Sequence, residues 1–174
     1  LKAYPPENLE ASLLLGKAYA RQGDLKAARA VHEQAIAQAP ADVRAYVALA
    51  ALAPTDSREQ LAALQRGWQA SPGNPTLAIF LGSAYERQGR RADATGVYEK
   101  AVAANPGNTM MVNNLAALLL EQGGDKASLA RALELAKSLA STGDPLLLDT
   151  LGWAYFRNDD FPIAVRTLER AVAA

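Results

Sequence analysis

Cysteine is absent from this chain of 174 residues, and histidine occurs only once, as His32. Without a thiol the sequence excludes disulfides, thiolate catalysis and the common cysteine-based zinc frameworks. The missing cysteine does not fix a compartment, because it suits both the cytoplasm and the periplasm. A general base needs an acid or a nucleophile within reach, and no such partner recurs beside His32. We therefore expect His32 to pack between helices, with no catalytic residue, metal site or cofactor in the chain.

An excess of either charge is also missing. Lysine plus arginine and aspartate plus glutamate number 18 each, which gives a formal net charge of +0 and a pI near 6.8. This balance removes the long-range attraction that nucleic-acid binders and membrane-surface proteins usually show. No apolar run approaches the roughly 20 residues that a membrane-spanning helix needs. We therefore expect no nucleic-acid partner and no direct membrane insertion of this segment.

What the sequence does contain is a pattern about 34 residues long. Residues 13–40 read LLLGKAYARQGDLKAARAVHEQAIAQAP, and residues 79–106 read IFLGSAYERQGRRADATGVYEKAVAANP. The glycines of these copies, Gly16 and Gly82, lie 66 positions apart, close to two units of about 34 residues. A further copy begins near Pro145 and has its glycine at Gly152. Two degenerate copies lie between these three.

The spacing of the copies predicts where each repeat begins and ends. The predicted repeats are residues 9–42, 43–74, 75–108, 109–144 and 145–174, and residues 1–8 read as the tail of a preceding repeat. They form a single array. Because the chain begins with Leu1 and no signal peptide precedes it, we expect a fragment of a longer protein.

Each half of a repeat has the pattern of an amphipathic helix, with apolar residues at i, i+3, i+4 and i+7. Gly23–Asp24 predicts a turn between two helices, with the glycine ending the first and the aspartate capping the second. Gln122–Gly123 predicts the same turn in the fourth repeat. Asn74–Pro75 and Asp144–Pro145 each place a capping residue before a proline at the first helical position.

Glycine also occurs inside the predicted helices, at Gly16, Gly82 and Gly152. Glycine there costs about 1 kcal/mol relative to alanine, so its presence indicates a close approach of a second backbone. We expect alanines of the partner helix, such as Ala28, to form the other side of this contact.

The 34-residue pattern resembles the tetratricopeptide repeat, whose marks are Leu-Gly, a tyrosine three residues on, two alanines with a large residue between them, and a proline. In the first copy the matching residues are Leu15, Gly16, Tyr19, Ala28, His32, Ala35 and Pro40. The resemblance implies an all-α, right-handed α-solenoid of about five helix-turn-helix repeats and about ten helices. Neighbouring hairpins must stack, because one hairpin cannot bury its own apolar face.

The resemblance further implies a non-enzymatic interaction scaffold that binds a peptide or protein segment in a concave groove lined by the first helix of each repeat. Carried onto this chain, the predicted partner-binding residues are Leu13, Lys17, Arg44, Val47, Ile79, Ser83, Arg87, Asn113, Asn114, Asp149, Trp153, Phe156 and Arg157. The wider inward-facing set adds Glu10, Arg21, Ala51, Thr76, Glu86, Met110 and Glu121.

Two other functions stay open at this point. The array could self-associate or dock on its own flanking domains, and it could serve as the accessory module of an enzyme whose catalytic residues lie elsewhere. Trp153 has an alternative role as well, in packing against a further repeat. The sequences of the last two repeats are similar to those of bacterial repeat proteins of exopolysaccharide export and surface sorting. This resemblance favours the bacterial periplasm over the cytoplasm.

Overall fold

The computed structural model describes residues 9–121 and 125–173, and these residues form ten α-helices and no strand. The helices are α1 Leu9–Arg21, α2 Leu25–Gln38, α3 Val43–Ala50, α4 Arg58–Ala70, α5 Pro75–Arg87, α6 Arg91–Ala104, α7 Thr109–Glu121, α8 Lys126–Lys137, α9 Pro145–Arg157 and α10 Phe161–Ala173. The predicted all-α fold class is confirmed. The predicted tail at residues 1–8 and the predicted turn at Gln122–Gly123 lie outside the described residues.

Side-chain caps set the first residue of several helices. The carboxylate of Asp24 accepts a hydrogen bond of 2.9 Å from the amide of Ala27, and Gly23 before it has a φ of +84°. Asn74 and Asp144 cap α5 and α9, each directly before the proline that begins the helix. These caps are confirmed, and each satisfies an amide that the first turn of a helix leaves without a partner.

The chain divides into two compact units, residues 1–89 and residues 90–174. Unit 1 contains α1 to α5, in which α1 packs on α2 and α3 packs on α4. The first helices of its hairpins also touch, α1 with α3 and α3 with α5. Unit 2 contains α6 to α10, where α7 packs on α8, α9 packs on α10, and α7 touches α9.

The close approach predicted at the helical glycines exists, but a larger side chain forms it. A Cβ atom placed on Gly16 would lie 2.3 Å from Cε1 of His32, and one on Gly152 would lie 2.5 Å from Cδ2 of Leu168. The expectation that alanine faces these glycines is therefore corrected. Ala28 is buried one helical turn before His32, and the glycine instead makes room for the ring.

Ion pairs connect second helices of neighbouring hairpins within each unit. The guanidinium of Arg66 on α4 donates two hydrogen bonds of 2.8 Å to the carboxylate of Glu33 on α2, 33 residues earlier. Arg131 on α8 donates one of 2.6 Å to Glu99 on α6, 32 residues earlier. The Arg66 bond is the main reason that the pKa of Glu33 lies below its usual value.

Arg66→Ala is expected to lower the free energy of unfolding by less than about 1 kcal/mol, because both members of the pair are exposed and water screens them. Urea titration at low and high salt measures this, with Arg58→Ala on the same helix as the control. A loss above about 2 kcal/mol would contradict the weak role that exposure assigns to the pair.

Candidate functional site

A cavity of about 550 Å³ opens between α1 and α3 in unit 1. From α1, the cavity is lined by Glu10, Leu13, Leu14, Lys17 and Ala20. From the other side it is lined by Arg44 and Ala48 of α3, by Ala51 and Leu52 directly after α3, and by His32 of α2. On α1 these residues follow the i, i+3, i+4, i+7 spacing that places side chains on one face of a helix. The cavity is therefore built from two facing helical stripes.

The walls of the cavity are mostly apolar. Leucines and alanines of both helices line it, and Leu14 leaves 67% of its surface exposed. Ala48 and Ala51 present only methyl groups from the α3 side. Because α3 offers small side chains opposite the leucines of α1, space remains between the helices that a side chain from another molecule can fill.

Charged groups stand around this apolar space. Arg44 is held by Asp42, with its Nε donating to Oδ1 at 3.0 Å and its Nη2 donating to Oδ2 at 2.7 Å. This bond is the main cause of both the lowered pKa of Asp42 and the raised pKa of Arg44, to which the charge of Glu10 also contributes. Lys17 is exposed and forms no ion pair within 4 Å with any residue that the structure describes.

His32 lies behind the cavity and is only 1% exposed. Its Nδ1 atom is buried and has no hydrogen-bond partner among residues 9–121 and 125–173. Burial lowers the pKa of the imidazole, since removal from water penalises the charged form. The expectation that His32 packs between helices agrees with this burial, although the ring also borders the cavity.

The structure brings together three of the predicted partner-binding residues, Leu13, Lys17 and Arg44, in this one cavity. Val47 is half-buried on the same α3 helix without lining it. On α5, Ile79 and Ser83 are half-buried. Arg87 is exposed, and its Nε donates to Oδ1 of Asp56 at 2.7 Å.

The predicted residues of unit 2 lie on α7 and α9. Met110 and Phe156 are 56% and 52% exposed. Phe156 packs edge-to-face on Phe161, with ring centroids 5.6 Å apart. Asp149 is exposed and Asn114 is half-buried. Met110, Asn114, Asp149 and Phe156 thus give α7 and α9 both apolar and polar side chains at or near the surface.

Two other predicted residues of unit 2 are turned towards the protein: Arg157 makes an internal hydrogen bond, and Asn113 is buried. Arg157 donates a hydrogen bond to the carbonyl oxygen of Leu120 at the end of α7, and its guanidinium carbon lies 6.0 Å from the ring centre of the half-buried Trp153. Asn113 is 9% exposed, and its Oδ1 atom has no partner in the described part of the chain. The hydrogen bond from Arg157 thus connects α9 to the end of α7.

Sequence reasoning missed the cavity residues Leu14, Ala20, His32, Ala48 and Leu52. The signal that could have found Ala48 is its position one turn after Arg44 on the same helix face. The empty space beside Ala48 depends on where α1 lies, so the sequence of α3 alone does not indicate it.

No cluster of three or more histidine, cysteine, aspartate or glutamate residues suited to a metal ion occurs in residues 9–121 and 125–173. Over the same residues, no helix has both the length and the apolar character needed to cross a bilayer.

Comparison with solved structures places the fold among helical repeat proteins. MamA matches with a TM-score of 0.70 at 17% identity, over 97% of this chain and 92% of the other. YrrB, described as a TPR protein with an unusual peptide-binding site, matches with a TM-score of 0.68 at 17% identity, over 93% and 84%. PilF of Pseudomonas aeruginosa matches with a TM-score of 0.67 at 18% identity, over 96% and 76%.

Comparison of sequences gives the family. A relative in Pseudomonas aeruginosa, the cytochrome c-type biogenesis protein CycH, is 33% identical over 126 residues, which are 71% of this chain. The aligned part is 30% of the length of that relative. Tetratricopeptide repeat models match residues 9–52, 43–109 and 81–144. With its helical hairpins and these matches over most of its length, the chain belongs to the tetratricopeptide repeat family.

Proposed function

We propose that this chain is a non-enzymatic interaction module that binds a peptide or protein segment on the face formed by its first helices, with the α1–α3 cavity as the principal contact. The observation that carries the proposal is the apolar cavity of about 550 Å³, whose walls include Leu13, Lys17 and Arg44. A cleft of this size, mostly apolar with a few polar groups at its edge, is typical of a binding site. The peptide-binding site ascribed to YrrB supports the same class of ligand.

Peptide selection followed by a blocking substitution tests the proposal. Peptides selected from a random display library on the intact chain would be titrated by fluorescence anisotropy. Ala48→Arg fills the cavity from the α3 side and is expected to weaken binding about tenfold or more, a factor equal to about 1.4 kcal/mol. Ala62→Arg, at an exposed alanine of α4, is the matched control and should bind like the wild type.

A set of selected peptides that bind Ala48→Arg and the wild type equally well would overturn the α1–α3 cavity as the contact site. Circular dichroism of both variants separates a blocked cavity from a chain that has lost its helices.

Self-association is the second candidate, and the exposed apolar face of α10 favours it. Val165 and Val172 are 54% and 89% exposed, and with Leu168, Glu169 and Ala173 they line a cavity of about 430 Å³. Light scattering that gives a dimer mass for the wild type and a monomer mass for Val172→Lys would support this function. A monomer mass at all concentrations would remove it.

We also propose a cellular process in which the module acts. The likeness to CycH favours a role in cytochrome c-type biogenesis, whereas a role in exopolysaccharide export and a periplasmic location stay predictions from sequence style. Deleting the gene and measuring covalently bound haem tests the first role. Unchanged haem attachment together with a defect in secreted polysaccharide would favour the second.

A further inference from the structure

The two ends of the α1–α3 cavity carry opposite charges. Glu10 and Lys17 both line it from α1 and are seven residues apart on the same helix face. With a rise of 1.5 Å per residue, their backbone positions are separated by about 10 Å along the helix. This distance is close to the Debye length at moderate salt. The two charges therefore neutralise each other little and remain available to a ligand.

The basic end has an uncompensated charge. Lys17 is exposed and has no ion-pair partner within 4 Å among the described residues, and Arg21, one turn further along α1, is exposed as well. Arg44, the other cation of the cavity, is already held by the carboxylate of Asp42 at 2.7 Å. A carboxylate of a ligand would therefore pair with Lys17, the cation of the cavity that has no ion-pair partner among the described residues.

The acidic end has a net negative charge. Glu10 and Asp42 contribute two negative charges and Arg44 contributes one positive charge, so the group of three sums to one negative charge. Glu10 forms no ion pair within 4 Å with the residues that the structure describes, although its charge acts on Arg44. A cation of a ligand would be stabilised at this end.

Apolar surface fills the interval between the two charged ends. Leu13 and Leu14 lie between Glu10 and Lys17 on α1, and Ala48 and Leu52 line the same cavity from the α3 side. In a polyproline II segment, which is extended and has three residues per turn, each residue advances about 3.1 Å, so residues three positions apart lie on the same face about 9 Å from each other. A segment that satisfies both ends thus has its two charges about three positions apart, with apolar side chains between them.

We infer that the cavity binds an extended peptide segment in which a basic and an acidic residue, about three positions apart, flank one or two large apolar side chains. This inference rests on the proposed function and specifies its ligand. The basic residue pairs with the Glu10 end and the acidic residue pairs with Lys17. Uniformly acidic or uniformly basic segments fit less well, because each would place a like charge at one end.

Four synthetic peptides with a common Leu-Leu centre test the charge pattern. They differ only in the flanking residues, which are Lys and Glu, Glu and Lys, Lys and Lys, or Glu and Glu. Fluorescence anisotropy measures their affinity for the wild type, Glu10→Lys and Lys17→Glu. Using like-charged peptides makes the test independent of the direction in which the peptide lies.

The wild type is expected to prefer a mixed-charge peptide by about two- to tenfold at low ionic strength, with the preference shrinking as salt is added. Glu10→Lys, which makes both ends basic, should prefer the Glu and Glu peptide. Lys17→Glu, which gives the cavity wall a carboxylate at each end, should prefer the Lys and Lys peptide, because Arg21 does not line the cavity. Both substitutions are at exposed positions, and circular dichroism checks that the helices persist.

The outcomes separate this inference from the proposed function. Binding that Ala48→Arg abolishes, but that shows no charge preference in any of the three proteins, overturns the inference and leaves the cavity as the binding site. Binding that Ala48→Arg does not change overturns both. No measurable binding of any peptide at about 1 mM, the range of very weak complexes, also overturns the inference.

Discussion

Gly16→Ala is expected to lower the free energy of unfolding by about 1–3 kcal/mol, although alanine is the better helix former. The added Cβ atom would lie 2.3 Å from Cε1 and 2.6 Å from Nε2 of His32. Three atoms of the His32 ring lie within 2.8 Å of this Cβ position, so the clash is relieved only if the ring shifts towards the cavity that it borders or if the helices move apart. The two helices must separate or the ring must leave its rotamer, and either change weakens the first hairpin. Urea denaturation followed by circular dichroism measures the loss.

Gly96→Ala is the matched control for this substitution. Gly96 also lies inside a helix, α6, but a Cβ atom placed on it would meet nothing within 4 Å among the described residues apart from its chain neighbours and the backbone of its own helix. The same change of residue should therefore raise the free energy of unfolding by up to about 1 kcal/mol through helix propensity alone. Effects of the same sign at both glycines would contradict the packing of His32 on Gly16.

His32→Leu is expected to raise the free energy of unfolding by about 1–3 kcal/mol at neutral pH. The substitution removes a buried Nδ1 atom that has no hydrogen-bond partner among the described residues, and such an atom costs about 1–3 kcal/mol. The fifth hairpin shows that leucine fits the position, because Leu168 occupies the corresponding place against Gly152. Thermal and urea denaturation of the two proteins at pH 8 measure the gain.

The same substitution should also remove a pH dependence. Because burial lowers the pKa of His32 in the folded chain, the unfolded chain binds the proton more tightly. The contribution of His32 to the free energy of unfolding is therefore fully present above about pH 6.5, and this contribution is lost as the pH falls towards the folded pKa of His32. The lowered pKa values of Glu33 and Asp42 act only below their ordinary values of 4.5 and 3.8. Equal losses for wild type and His32→Leu between pH 7 and pH 5 would contradict this assignment.

The helices and their caps could be predicted from the sequence because their causes are local. Asp24 caps α2 through an amide three residues away, and Asn74 and Asp144 act through the first turns of their own helices. The contact of Gly16 with His32 could not be predicted in detail. Which side chain of a partner helix fills the space beside a glycine depends on the rotation of that helix, and a single sequence does not contain this rotation.

The candidate site could be predicted only in part for the same reason. The repeat pattern places Leu13, Lys17 and Arg44 on inward faces, and all three line the cavity. The pattern does not indicate that Ala48 leaves room opposite α1, because an empty volume belongs to two helices together. It also gives no sign that Arg157 is engaged by the carbonyl of Leu120, 37 residues earlier.

Methyl-resolved NMR of the intact chain, titrated with a selected peptide, tests the central claim that ligands enter between α1 and α3. We expect the methyl resonances of Leu13, Leu14, Ala48 and Leu52 to shift first and most. The methyls of Leu139, which is fully buried in unit 2, should stay in place. Shifts confined to α7 and α9, with the methyl resonances of these four cavity residues unmoved at saturation, would show that ligands do not enter between α1 and α3.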